Sequence, residues 1–145
     1  GLLILTTDGE LTLHLTHPGH EVEKVYHALV RGVPSEAAIR CLSEGLDLRD
    51  GPTRPARAEV LSPAEDGCTW VLIGLREGRR RQVRRMLRAV GHLVQRLVRV
   101  SIGPVALGDL APGAWRDLMP EEVRALRRCG CTPTGPTRPR FRVQT

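Results

Sequence analysis

The spacing of apolar positions changes along the chain, and each spacing predicts a different element. Residues 2–5, Leu2-Leu3-Ile4-Leu5, form an unbroken apolar run closed by Asp8-Gly9, the pattern of a buried strand and a turn. Residues 10–16 fit one short helix with Leu11 and Leu15 on one side, ended by His17-Pro18-Gly19. From residue 24 to residue 30 the period is two, with Tyr26, Ala28 and Val30 on one face and Val25, His27 and Leu29 on the other, so a strand is expected. Residues 32–34 read as a turn. Ser35 suits the N-cap of a helix running to about residue 43, with Ile39 and Leu42 inward and Gly45 as its stop. Asp50-Gly51-Pro52 reads as loop.

Residues 56–61 and 69–75 predict two antiparallel strands, the second rich in β-formers, Trp70-Val71-Leu72-Ile73. Glu77-Gly78 breaks that strand, and a helix is expected over 79–90. Another strand follows over 93–102, with Val94, Val98, Val100 and Ile102 assigned to one face, and residues 115–118 suggest a last short strand. Pro120 at a first helical turn, followed by Glu121 and Glu122 at the positive end of the dipole, predicts a helix to about residue 127. The order β-α-β-α-β-β-α-β-β-α lacks the strict alternation of a doubly wound fold. It predicts an α+β domain with a mixed, largely antiparallel sheet flanked by helices.

Composition narrows the class. A chain of 145 residues fits one domain, and 41% apolar with 26% charged residues excludes wholesale disorder. The expected division is a folded body over 1–128 and a flexible basic tail over 129–145, where Pro133, Pro136 and Pro139 occur without periodicity. No apolar run approaches the roughly 18 residues of a membrane span, and no basic-then-apolar leader opens the chain, so a soluble cytoplasmic monomer is expected. Cys41, Cys68, Cys129 and Cys131 lack zinc-knuckle or redox spacing and read as reduced thiols.

Charge changes the picture further. Residues 1–75 carry 6 basic and 11 acidic side chains, whereas residues 76–99 carry 9 arginines against Glu77 alone. An arginine block on an otherwise acidic body is the electrostatic footprint of a polyanion-binding protein. On a helical wheel Val83, Met86, Leu87 and Val90 form one apolar stripe, and Arg81, Arg84, Arg85 and Arg88 gather opposite. Guanidinium groups so placed can hold phosphates by bidentate hydrogen bonds, although a merely solvated amphipathic face would show a similar pattern.

Here a resemblance becomes specific. Glu77-Gly78-Arg79-Arg80-Arg81-Gln82-Val83-Arg84-Arg85-Met86, with Val90-Gly91-His92 after it, resembles the late signature of RsuA/RluB-type pseudouridine synthases. In the same family order come Gly1-Leu2-Leu3-Ile4-Leu5-Thr6-Thr7-Asp8-Gly9, Leu15-Thr16-His17-Pro18 with Lys24-Val25-Tyr26, Leu97-Val98-Arg99-Val100 with Ile102-Gly103-Pro104, and Gly113-Ala114-Trp115-Arg116-Asp117-Leu118. The resemblance covers about residues 1–127 and implies the catalytic-domain core of an enzyme that isomerises uridine to pseudouridine in RNA, chiefly ribosomal RNA, without cofactor or metal. It implies that Tyr26 is the active-site tyrosine lying against the target base, and that Arg84 pairs with the catalytic carboxylate. Lys24, Arg79, Arg81 and Arg85 are expected at RNA phosphates on charge grounds. The family's catalytic aspartate lies in a Gly-Arg-Leu-Asp motif just upstream of the stretch corresponding to Gly1, and this sequence contains no such motif. Asp8, Asp50, Asp66 and Asp109 instead read as turn and cap carboxylates. The chain is therefore expected to be an N-terminally truncated enzyme, inactive alone. The alternatives are a catalytically inactive RNA-binding protein of the same descent and a basic module for acidic proteins.

Other groups receive plainer readings. His14, His17 and His20 recur every three residues, but Pro18-Gly19 breaks the helical geometry a metal site would need, so an RNA-facing turn is expected. His27 and His92 are assigned no chemistry, and Trp70 and Trp115 are expected to cover the core or the sheet.

Overall fold

In a computed structural model, which describes residues 1–130, Asp8 starts the first helix. Its carboxylate accepts the Leu11 backbone N–H at 3.0 Å, satisfying one of the donors a helix start leaves unpaired, and α1 (Gly9–Thr16) follows. A single 3₁₀ turn at Pro18–His20 leads into β1 (Lys24–Arg31). Ser35 caps α2 (Glu36–Glu44) through the Ala38 N–H at 3.1 Å. Gly45 ends that helix at φ +106°, where a Cβ would lie 2.6 Å from the Thr53 carbonyl oxygen, so only glycine fits. A two-rung hairpin, β2 (Asp47–Leu48) and β3 (Gly51–Pro52), occupies the segment expected to be plain loop. Then come β4 (Arg57–Pro63), β5 (Cys68–Leu75), α3 (Gln82–Ala89), β6 (Val94–Ile102), β7 (Val105–Ala106) and α4 (Pro120–Arg128).

Five strands form one sheet in the order β4-β5-β1-β6-β7. Every strand pairing among the described residues is antiparallel, so the expected α+β class holds and the sheet is simpler than a mixed one. β1 lies at its centre, with Tyr26 opposite Ile73 of β5 and Arg99 of β6. Helices α2 and α3 cover the face carrying Tyr26, Ala28 and Val30. Ala28, Val30, Val71 and Ile73 pack there with Leu42, Val83, Met86 and Leu87. Each aliphatic side chain removed from water in this layer contributes about 1.5–3 kcal/mol. A second cluster joins α1 and α4 at one end of the sheet: Leu2, Leu11, Leu15, Val22, Ile102, Val105 and Leu126. His27, Leu29, Trp70, Val98 and Val100 belong to neither cluster and line shallow depressions on the opposite face.

Three expectations are corrected. Residues 2–5 are not a buried strand: Leu2 is buried and bonds β6 through its N–H to the Arg99 carbonyl at 2.7 Å, whereas Leu3 and Leu5 face solvent. Val94, Val98, Val100 and Ile102 do not share a face. The β1–β6 pairing shifts register between Val25 and Tyr26 and again between Leu29 and Val30, each time with one extra residue on β6, so Val94 reaches the helix side and Val98 the other. Residues 115–118 form no strand, and Trp115 is 82% exposed rather than covering the core. Residues 131–145, most of the expected tail, lie outside the described residues.

Candidate active site

Tyr26 lies on the helix-covered face, half-buried and packed against the cluster that contains Val83, Met86 and Leu87 of α3. Its hydroxyl has no hydrogen-bond partner among the described residues. Arg84 projects from α3, also half-buried, and its Nη1 donates to the Val94 carbonyl at 3.0 Å. No carboxylate pairs with it among the described residues. A half-desolvated guanidinium with no acidic partner favours an anion, because burial raises the cost of leaving the charge uncompensated.

The turn entering α3 is built around Glu77. Its carboxylate accepts the Gln82 side-chain amide at 2.6 Å, the Arg54 backbone N–H at 2.8 Å and the Arg79 Nε at 3.3 Å. Gln82, 3% exposed, returns its amide oxygen to the Arg79 N–H at 3.1 Å. Arg79 also donates to the Gly51 carbonyl at 2.9 Å and to the Pro52 carbonyl, and so clamps the β2–β3 hairpin onto α3. This network holds Arg81 in the left-handed conformation at φ +53°, which costs about 1–2 kcal/mol for a residue with a Cβ.

The arginine block is consequently not one continuous bank. Arg79 is committed to the hairpin, and Arg85 forms an ion pair with Asp50, one arm of it at 3.0 Å. That guanidinium holds the Asp50 carboxyl below its ordinary pKa. Arg81 and Arg88 remain exposed. Lys24, by contrast, lies on Tyr26's own strand two residues away, and burial, then the nearby Arg99 charge, lowers its pKa from the ordinary lysine value. Arg99 was not among the sequence-predicted site residues. It sat at the end of an arginine-rich stretch, and only the register shifts of β6 reveal that it stands directly opposite Tyr26.

The remaining candidates have local partners. Asp8 caps α1 and pairs with Arg127 at 2.5 Å, and the Leu11 N–H, more than Arg127, lowers its pKa. Asp66 sits in a 3₁₀ turn at φ +57°, and Asp109 is exposed. His14 donates from Nε2 to the Cys129 carbonyl at 2.5 Å, His20 from Nδ1 to the His14 carbonyl at 2.9 Å, and His17 accepts the Gly19 N–H at 3.0 Å. His92 donates from Nδ1 to the Arg31 carbonyl at 2.8 Å. His27 lies on the far face, where burial lowers its pKa. Among the described residues no group of three or more histidine, cysteine or acidic side chains is arranged to hold a metal.

Known proteins share this architecture. The family model described as RNA pseudouridylate synthase matches residues 1–89. An uncharacterized RNA pseudouridine synthase of Mycobacterium leprae is 48% identical over 126 residues, 87% of this chain and 49% of that protein. The ribosomal large subunit pseudouridine synthase B of Bacillus subtilis is 43% identical over 128 residues, 88% of this chain and 52% of that one. A crystal structure of a pseudouridylate synthase superposes with a TM-score of 0.75 at 35% identity, covering 83% of this chain and 52% of the other. The chain thus spans about half the length of these relatives. The matched stretch includes the strand of Tyr26 and the helix of Arg84, and the chain belongs to the RNA pseudouridylate synthase family.

Proposed function

We propose that this chain carries the tyrosine–arginine part of an active site that isomerises uridine to pseudouridine in ribosomal RNA. The observation that carries the reading is a phenol whose hydroxyl has no partner, on the sheet face that α3 covers, together with an α3 arginine that has no acidic partner, both among the described residues. The names of the Bacillus subtilis and Mycobacterium leprae relatives support the reaction class, and the former supports ribosomal RNA as substrate.

In this reaction the bond from ribose C1′ to N1 of uracil breaks, the base turns, and C1′ bonds to C5, which then loses its proton. The reacting atoms are shielded inside a stacked helix, so the nucleotide must be extruded into a pocket. Tyr26 presents a flat ring to support the extruded base, and its hydroxyl is available for the proton leaving C5. Arg84 stabilises an ionised carboxylate by opposing charge. The sequence has no Gly-Arg-Leu-Asp, and Asp8 and Asp50 already cap or pair elsewhere, so this chain by itself does not complete the reaction.

The test uses RNA carrying tritium at uridine C5, with label release as the readout of proton loss. The 145-residue chain alone releases no label. The same chain extended by a preceding segment containing Gly-Arg-Leu-Asp releases it, and Tyr26→Phe in the extended protein lowers the rate at least 100-fold, the scale of losing a positioned proton-transfer group. Label released by the unextended chain overturns the need for an outside carboxylate. An extended protein that binds RNA but releases nothing favours the catalytically inactive RNA-binding reading.

A further inference from the structure

Lys24 and Arg99 neighbour Tyr26 in the sheet, and no carboxylate pairs with either among the described residues. Lys24 is two residues from Tyr26 on β1, and Arg99 is Tyr26's direct partner on β6, so strand alternation and register put all three on one sheet face. Lys24 and Arg99 are both half-buried. Neither takes part in an ion pair among the described residues, although arginines on the outer surface do, such as Arg57 with Glu59 and Arg116 with Glu122. Burial, and after it the repulsion of the Arg99 charge, lowers the Lys24 pKa, with Cys129 acting in the opposite direction. Most of their donors are also free. The Lys24 ammonium makes one long bond, 3.3 Å, to the Val22 carbonyl. Arg99 uses only Nε, which donates to the Leu2 carbonyl at 2.8 Å, and both its terminal nitrogens lack a partner among the described residues.

The described residues leave both cations without a carboxylate partner, an arrangement that favours an anion supplied from beyond them. Two free guanidinium nitrogens and an ammonium suit the non-bridging oxygens of a phosphodiester. We propose that Lys24 and Arg99 form a single phosphate-binding site that grips the RNA backbone next to the nucleotide whose base lies against Tyr26. The inference rests on the RNA-modifying reading above and adds the site's polar anchor. Arg99 does a second task from the same position. Its carbonyl accepts the Leu2 N–H at 2.7 Å while its Nε holds the Leu2 carbonyl, so the opening segment is fastened at two points to the strand that carries the phosphate grip.

The test is fluorescence anisotropy with a labelled single-stranded RNA 15-mer containing uridine, titrated at several salt concentrations between about 50 and 200 mM. Each phosphate neutralised contributes a slope of about −0.7 to the dependence of log affinity on log salt for single strands. Lys24→Gln and Arg99→Gln each weaken binding about 3- to 10-fold and flatten that slope by up to about 0.7. Because the two share one phosphate, the double variant loses about 0.7 in total and not about 1.4. Arg40→Gln, exposed on α2, leaves the slope unchanged. Lys24→Gln touches only the Val22 carbonyl, so it decides the matter even if Arg99→Gln loosens the Leu2 attachment and fails to fold. A steep wild-type slope that neither variant alters, or losses that add to about 1.4, overturns the single site and leaves the RNA reading standing. A wild-type protein that does not bind the oligonucleotide overturns both.

Discussion

Three hydrogen bonds converge on the carboxylate of Glu122. Arg116 donates to its two oxygens at 2.8 and 2.7 Å, and the Met119 backbone N–H donates at 2.8 Å. These donors, the Arg116 pair first and the Met119 N–H second, bring the pKa from 4.5 down to about 2. A carboxylate with a depressed folded-state pKa stabilises the fold above its unfolded value and loses that contribution as pH falls through the folded value. The Glu122 contribution is therefore complete above about pH 4.5 and fades between there and pH 2. Glu122→Gln removes it, so thermal unfolding of the variant should depend less steeply on pH across that window. Asp8 and Asp50 also have lowered pKa values but are unchanged in the variant, so the difference between the two curves isolates Glu122. Parallel curves for variant and wild type would contradict the assignment.

At the scale of elements, the signature around Glu77 has a structural task. Glu77 is only 12% exposed at its side chain and ties together Arg79, Gln82 and the Arg54 backbone, so the β2–β3 hairpin and the start of α3 are one unit. Glu77→Ala leaves the buried Gln82 amide, the Arg54 backbone N–H and the Arg79 Nε without their carboxylate acceptor, while the other Arg79 nitrogens keep the hairpin carbonyls. Hydrogen bonds to charged groups are each worth about 1.5–3 kcal/mol, and water replaces part of the loss at this partly open turn, so about 2 kcal/mol of destabilisation is expected in urea unfolding. Hydrogen exchange should quicken first in residues 47–52. A loss under about 0.5 kcal/mol would show that the clamp is ornamental. The caps at Ser35 and Gly45, the alternation of β1 and the apolar stripe of α3 were legible in the sequence because each depends on neighbours within a turn or two. The hairpin was not, since two-residue strands have no period to read. The faces of β6 were not either, because a strand's own alternation says nothing of extra residues against its partner.

For the whole molecule, the same limit explains what the sequence hid about the site. Tyr26 and Arg84 could be singled out by resemblance, but Arg99 reaches Tyr26 only through pairing at a separation of 73 positions, and the exposure of Trp115 depends on a segment with no regular structure. Long-range placement also divides the interior into two clusters, one beneath α2 and α3 and one joining α1 to α4 at the end of the sheet. Leu126 is fully buried in the second, beside Leu11 and Leu15. Leu126→Ala should destabilise the protein by about 2–4 kcal/mol, the transfer loss plus the cavity left behind. Because that cluster lies at one end of the sheet, its amides should open without the central strands. Hydrogen exchange in the variant should then accelerate in α1 and α4 while β1 and β5, paired on both sides within the sheet, keep their protection. The Leu2 attachment to Arg99 joins this cluster to the strand opposite Tyr26, so the same variant should also weaken RNA binding modestly, through packing alone. Uniform acceleration of exchange across all strands and helices would instead show that the two clusters unfold as one cooperative unit.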